Sequence, residues 1–151
     1  MKILEYPDEH LRTKTKAVDR VTPELVEIAK EMYKVMREAN GIGLAAPQVG
    51  LDISLIVLED HGYMLAMFNP VILKRSSDQE YGPEGCLSFP GITRIIKRPK
   101  EVTVKYRDEY GKMQYIVLTG LQARCMVHEF DHLFSRLFID LEDRHDKTNE
   151  S

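Results

Sequence analysis

Residues 128–132 read "HEFDH", and the types and spacing of these residues carry the most chemistry in the chain. If the segment is helical, His128 and His132 lie one turn apart on the same face with Cβ atoms about 5–6 Å apart, so both rings can aim a nitrogen at one cation about 2.1 Å away. Glu129, rotated by roughly 100° from His128, can reach a water on that cation without being a ligand, which is the placement a general base requires. A solvated helix face with two incidental histidines is the plainer alternative, but two of only five histidines fall at ligand spacing around a glutamate.

The third ligand decides what such a site can do. Thermolysin-type metallopeptidases take a Glu from a following helix, and only nineteen residues, mostly polar, follow His132 here. The extended pattern H-E-x-x-H-x-x-G-x-x-H also fails, because Ser135 stands where Gly belongs and Phe138 where His belongs. Cys125 is seven residues from His132, about 10 Å along a helix axis, so it reads as a small buried apolar residue. Cys86 remains, in "EGCLSFPG", where Gly85 and Gly91 permit a tight backbone path. A buried Cys in a turn is an equally simple reading of that stretch; a Cys/His/His set with an open fourth position would be a catalytic arrangement, since closed structural sites use four protein ligands.

The elements that must position these residues follow from periodicity. Thr22 is a good N-cap, Pro23 stands where a missing N–H costs nothing, and Leu25, Ile28, Ala29, Met32, Met36 and Ala39 form one apolar stripe, ended by Asn40-Gly41. "ISLIVL" and "YMLAMF", joined by "EDHGY", predict a hairpin; "PVIL" at 70–73, "EVTVKYRD" at 101–108 and "MQYIVL" at 113–118 predict further strands. A second helix from near Gly120 to about Phe134 carries the histidines. Grouped strands with helices before and after them indicate an α+β fold, with mostly antiparallel strands around the helix bearing H-E-x-x-H. Residues 1–151 read as a single domain with a polar tail at 142–151 expected to fray.

"GIGLAAPQVG" at 41–50 contains a G-x-G-x-x-A pattern, yet the glycines follow a helix instead of a strand, Pro47 interrupts the place where a phosphate-binding helix would start, and no Lys-Ser or Lys-Thr pair follows. A nucleotide loop is therefore disfavoured, and Gln48, a polar residue in an apolar run, needs a partner. The formal charge of -3 and the absence of a basic run argue against nucleic acid as a ligand. The longest apolar run is too short for a membrane span, and "MKILEYPDEH" has no secretion-signal pattern, so a cytoplasmic protein with reduced thiols is expected.

In order, "GIGLAAPQ", "EGCLS" and "HEFDH" resemble the three motifs of peptide deformylases, and "ILEYPDEHLRTKTKAV" and "HLFSRLFIDL" are similar to that family too, so the likeness covers nearly the whole chain. The resemblance implies removal of the formyl group from the N-terminal formylmethionine of new polypeptides by attack of a metal-bound water. It implies Cys86, His128 and His132 as ligands, Glu129 as general acid/base, and Gln48 with the Leu87 backbone N–H as donors to the carbonyl oxygen. Fe(II) is implied as the native ion, with Zn(II), Ni(II) or Co(II) possible in purified protein. Backbone groups of Ile42 and Gly43 would pair with an extended peptide, and Ile42, Leu121, Arg124 and Cys125 would surround the methionine side chain. Arg124 departs from relatives, which often carry an apolar residue there; either its guanidinium snorkels outward or the pocket is altered. Arg94 and Arg98 could steer a substrate carboxylate or pair with Glu84, and Asp131 could support a ligand. Nascent formylmethionyl polypeptides are the implied partner, with the ribosome near its exit tunnel a further one. Many relatives continue into a longer C-terminal helix, expected to be short or missing here.

Overall fold

The computed structural model describes residues 1–141. Helix α1 (Pro23–Glu38) forms where the stripe predicts it: the Thr22 hydroxyl caps it by accepting from the N–H of Leu25, and Ala29, Met32 and Met36 are buried. The chain leaves α1 through Asn40 in the left-handed region. Ala39 falls beyond the last turn and is exposed, so the buried stripe ends at Met36.

Five antiparallel strands follow as one sheet in the order β1 (Gly43–Ala45), β2 (Leu55–Asp60), β3 (Tyr63–Arg75), β6 (Glu101–Arg107) and β7 (Met113–Thr119). Strands β2 and β3 make the expected hairpin, turned by His61 and Gly62, both with positive φ. "PVIL" is not a separate strand: β3 runs on through a register shift at Asn69, whose side chain accepts from the N–H of Val18 and donates to its carbonyl. The bulge thus fastens the N-terminal segment to the sheet.

Helix α2 (Gly120–His132) lies against one face of this sheet and α1 against the other. Ile56 and Leu58 pack with Met126 and Val127 of α2, whereas Leu55 and Val57 pack with Met32 and Met36 of α1. Because β2 is covered on both faces, its sequence reads as an unbroken apolar run rather than an alternation.

The sequence reading missed β1, too short to show a pattern, and the two strands β4 (Gln79–Cys86) and β5 (Phe89–Pro99), which pair with each other as a separate two-stranded sheet. "EGCLSFPG" suggests a turn by its glycines and proline, but Glu84, Gly85 and Cys86 end β4 and Phe89 opens β5. Gly82, Pro83 and Gly85 disguise the strand, and such residues are tolerated because each strand has only one partner. Leu11, Phe89, Ile96, Leu137 and Phe138 form a small apolar cluster beneath this hairpin. The 142–151 tail lies outside the described residues. Among the described residues, no helix is long and apolar enough to cross a membrane.

Candidate metal centre and active site

The end of β4 meets the last turns of α2. There the Cys86 Sγ, one nitrogen of His128 and one of His132 all lie within 4.8 Å of one another, the one set of potential metal donors of this kind among the described residues. The thiol sulfur is 3.5 Å from His132 Nε2. A thiolate and an imidazole bound to one tetrahedral ion at about 2.3 and 2.1 Å would stand roughly 3.6 Å apart, so the donor spacing already matches a shared cation. His128 Nε2 is buried with no hydrogen-bond partner, as is Glu129 Oε1. Buried polar atoms left unpaired demand an explanation, and an ion with its water supplies one. One thiolate and two imidazoles suit Fe(II), Zn(II), Co(II) or Ni(II), without selecting among them.

His128 is oriented by Glu84, which the sequence suggests only as a partner for an arginine: its Nδ1–H donates to Glu84 Oε1 at 2.9 Å, leaving Nε2 for a metal. Glu84 in turn accepts two bonds from Arg98, Nε–Oε2 at 2.7 Å and Nη2–Oε1 at 2.8 Å, while Arg98 Nη1 reaches Asp131 Oδ2 at 2.9 Å. Arg98 therefore pairs with Glu84, as one of the two expectations had it, and Asp131 holds that guanidinium. The signal available in the sequence was a charge in a stretch of small residues, two positions before the candidate ligand.

Burial works against a charged Glu84, but the bonds from Arg98 and His128 outweigh it and lower its pKa from 4.5 to about 2. For His128, burial is likewise outweighed by Cys86 and Glu84, which raise it from 6.5 to about 10. A proton thus competes for the nitrogen that a metal would take. Burial lifts Glu129 from 4.5 to about 7, with His128 opposing; a carboxylate tuned near neutrality can both accept and return a proton. Burial, then the charges of His128 and Arg98, push His132 well below its ordinary value, keeping it a neutral donor. The Cys125 thiol is driven up by burial and by the nearby carboxylate of Glu129, which keeps it inert. Both cysteines are free.

Gln48 finds its partners here. Its Oε1 accepts from the N–H of Ala45 at 2.9 Å, which fixes the amide so that Nε2 points at Ser88 Oγ, 3.2 Å away, and Cys86 Sγ, 3.5 Å away. Gly43 is where β1 passes closest to α2: an added Cβ would strike Cys125 Sγ and come within 2.9 Å of Glu129 Oε2. The glycine at 43 thus serves the approach of a helix, and no pyrophosphate is needed to explain it.

A cavity of about 590 Å³ opens onto this centre, lined by Ile42, Gly43, Cys86, Leu87, Leu121, Arg124, Cys125, His128 and Glu129 among others. Gln48 and His132 are buried, each with its Nε2 3.5 Å from the Cys86 sulfur. Ile42 and Leu121 are exposed at the rim. Arg124 does not snorkel: it is only 8 % exposed and turns inward to Glu84.

A sequence profile described as polypeptide deformylase matches residues 1–148. The chain belongs to the peptide deformylase family. A peptide deformylase of Thermosynechococcus vestitus is 43% identical over 138 residues, 88% of this chain and 73% of that one. Among solved structures, a deformylase from Synechococcus elongatus in complex with actinonin superposes with a TM-score of 0.92 at 41% identity, covering 99% of this chain and 82% of that one. The Thermotoga maritima deformylase gives 0.89 at 38% identity, covering 93% and 95%. The α+β architecture expected from the residues is the deformylase fold, and peptide deformylases depend on a metal, for which these three donors offer a place.

Proposed function

We propose that the chain hydrolyses the N-formyl group from the N-terminal formylmethionine of new polypeptides, releasing formate, with Cys86, His128 and His132 holding the metal. The observation that carries this reading is the convergence of those three donors beside a buried carboxylate raised to about 7, at a centre onto which one cavity opens, in a chain of this family. Bound there, a divalent ion supplies Lewis acidity to a water and to the formyl oxygen. Fe(II) is the ion proposed for the native protein, and Zn(II), Ni(II) or Co(II) for purified protein.

Glu129 accepts the proton of the attacking water and gives one to the departing amine, so one carboxylate serves both steps. The Gln48 amide and the Leu87 backbone N–H donate to the oxygen that gains negative charge; one such donor typically lowers the barrier by about 3–4 kcal/mol. The backbone of Ile42 and Gly43 takes the peptide as an added strand, and Ile42, Leu121, Arg124 and Cys125 line the space for its methionine side chain. Residues 1–151 work as one catalytic domain, in the compartment where formylated chains are made, on polypeptides emerging at the ribosome.

Protein prepared without oxygen and assayed for formate release should act on a formyl-Met peptide and leave the acetyl-Met analogue intact. Turnover of unformylated peptides in place of the formylated one would make it a metallopeptidase instead.

A further inference from the structure

Arg124 stands one helical turn before His128 on α2, yet its guanidinium spans to the hairpin that carries Cys86. Nη1 donates to Glu84 Oε2 at 2.8 Å, to the Ile96 carbonyl at 2.8 Å and to the Gly82 carbonyl at 3.3 Å; Nη2 donates to the Glu80 carbonyl at 2.8 Å. Three of these acceptors belong to β4 and one to β5. Position 82 makes room for it: a Cβ there would lie 2.9 Å from the guanidinium carbon and from Nη2. Arg98 runs the other way, from β5 to Asp131 on α2. The two guanidiniums cross the gap between hairpin and helix in opposite directions and meet on Glu84, the carboxylate that orients His128.

We infer that Arg124 is a positioning residue: it ties β4 and β5 to α2, so that the Cys86 sulfur stays within bonding reach of the two imidazoles, and it governs how firmly the metal is held. This rests on the metal-site reading above. A pocket wall would need only bulk at this position, whereas here a planar fork with several N–H groups is used on one carboxylate and three carbonyls, which a lysine ammonium cannot match.

The test uses the full chain loaded with Co(II), whose thiolate charge-transfer absorption reports the Cys86 bond directly. Release of cobalt to a chelator should be about tenfold faster in Arg124→Met, with a weaker thiolate band, and Arg124→Lys should recover only part of the loss. Gly82→Ala keeps every polar partner and obstructs the guanidinium alone; it should move release and band in the same direction, and it carries the test if Arg124→Met does not fold. Wild-type release rates and an unchanged thiolate band in both Arg124→Met and Gly82→Ala would overturn the inference in favour of a side-chain pocket. A wild-type protein without a thiolate band would sink the site itself, a distinct failure.

Discussion

The two halves of the metal centre are held in place by different physics. Helix α2, which supplies both imidazoles, is fixed by apolar burial: Ala123, Met126 and Val127 pack on a sheet face built from Ile56, Leu58, Met67, Val104 and Leu118. The β4–β5 hairpin, which supplies the thiol, has a small apolar cluster under it and is otherwise tied to α2 by the charges of Glu84, Arg98, Arg124 and Asp131. Apolar packing is non-directional and tolerant; a buried ionic network is directional and costly to break in part. The imidazole half is therefore expected to be the stable platform and the thiol half the part whose geometry depends on charge.

Breaking the chemistry without touching either attachment should have the largest effect. Glu129→Gln leaves the donors and the core in place, and is expected to lower kcat by a factor on the order of 10³ while metal content and melting temperature hold. Steady-state kinetics beside metal analysis would show it; a variant that keeps its rate removes Glu129 from the mechanism.

Loosening the platform comes next. Met126 is fully buried, and Met126→Ala should cost about 2–5 kcal/mol in urea unfolding, while the folded fraction still binds one metal per chain. Loss of metal at full stability would reverse the assignment of roles to the two halves.

Acid should act on the other half. Glu84 is held at about 2 against an ordinary 4.5, so its contribution to stability is present in full above pH 4.5 and disappears as pH falls from 4.5 toward 2. The loss is on the order of 3 kcal/mol. Unfolding of the metal-free protein at neutral pH and near pH 3 captures the larger part of it, about 2 kcal/mol, with Glu84→Gln as control: the variant should have lost that share of the pH dependence, and an unchanged dependence would place the acid sensitivity elsewhere.

The same contrast explains what could be read from the sequence. Helix α1 and the β2–β3 hairpin were legible because periodicity and turn residues are local signals, and "HEFDH" was legible because a helix converts spacing into shared direction. The β4–β5 hairpin was not, since Gly82, Pro83, Gly85, Pro90 and Gly91 mimic a loop and its ties are made to residues distant in the chain. Glu84 and Arg124 show the limit: nothing local marks a glutamate or arginine as buried, because burial of a charge depends on a partner brought in by tertiary structure. Gln48 was recognised as needing a partner, but Ser88 could be named only once the fold joined the two segments.

The central claim is that one thiol from the hairpin and two imidazoles from α2 share a single cation. X-ray absorption at the metal edge of the loaded protein tests it most directly. One sulfur at about 2.3 Å with two nitrogens at about 2.0–2.1 Å is the result expected, the sulfur vanishing in Cys86→Ala; a coordination sphere of nitrogen and oxygen alone in the wild-type protein would contradict it.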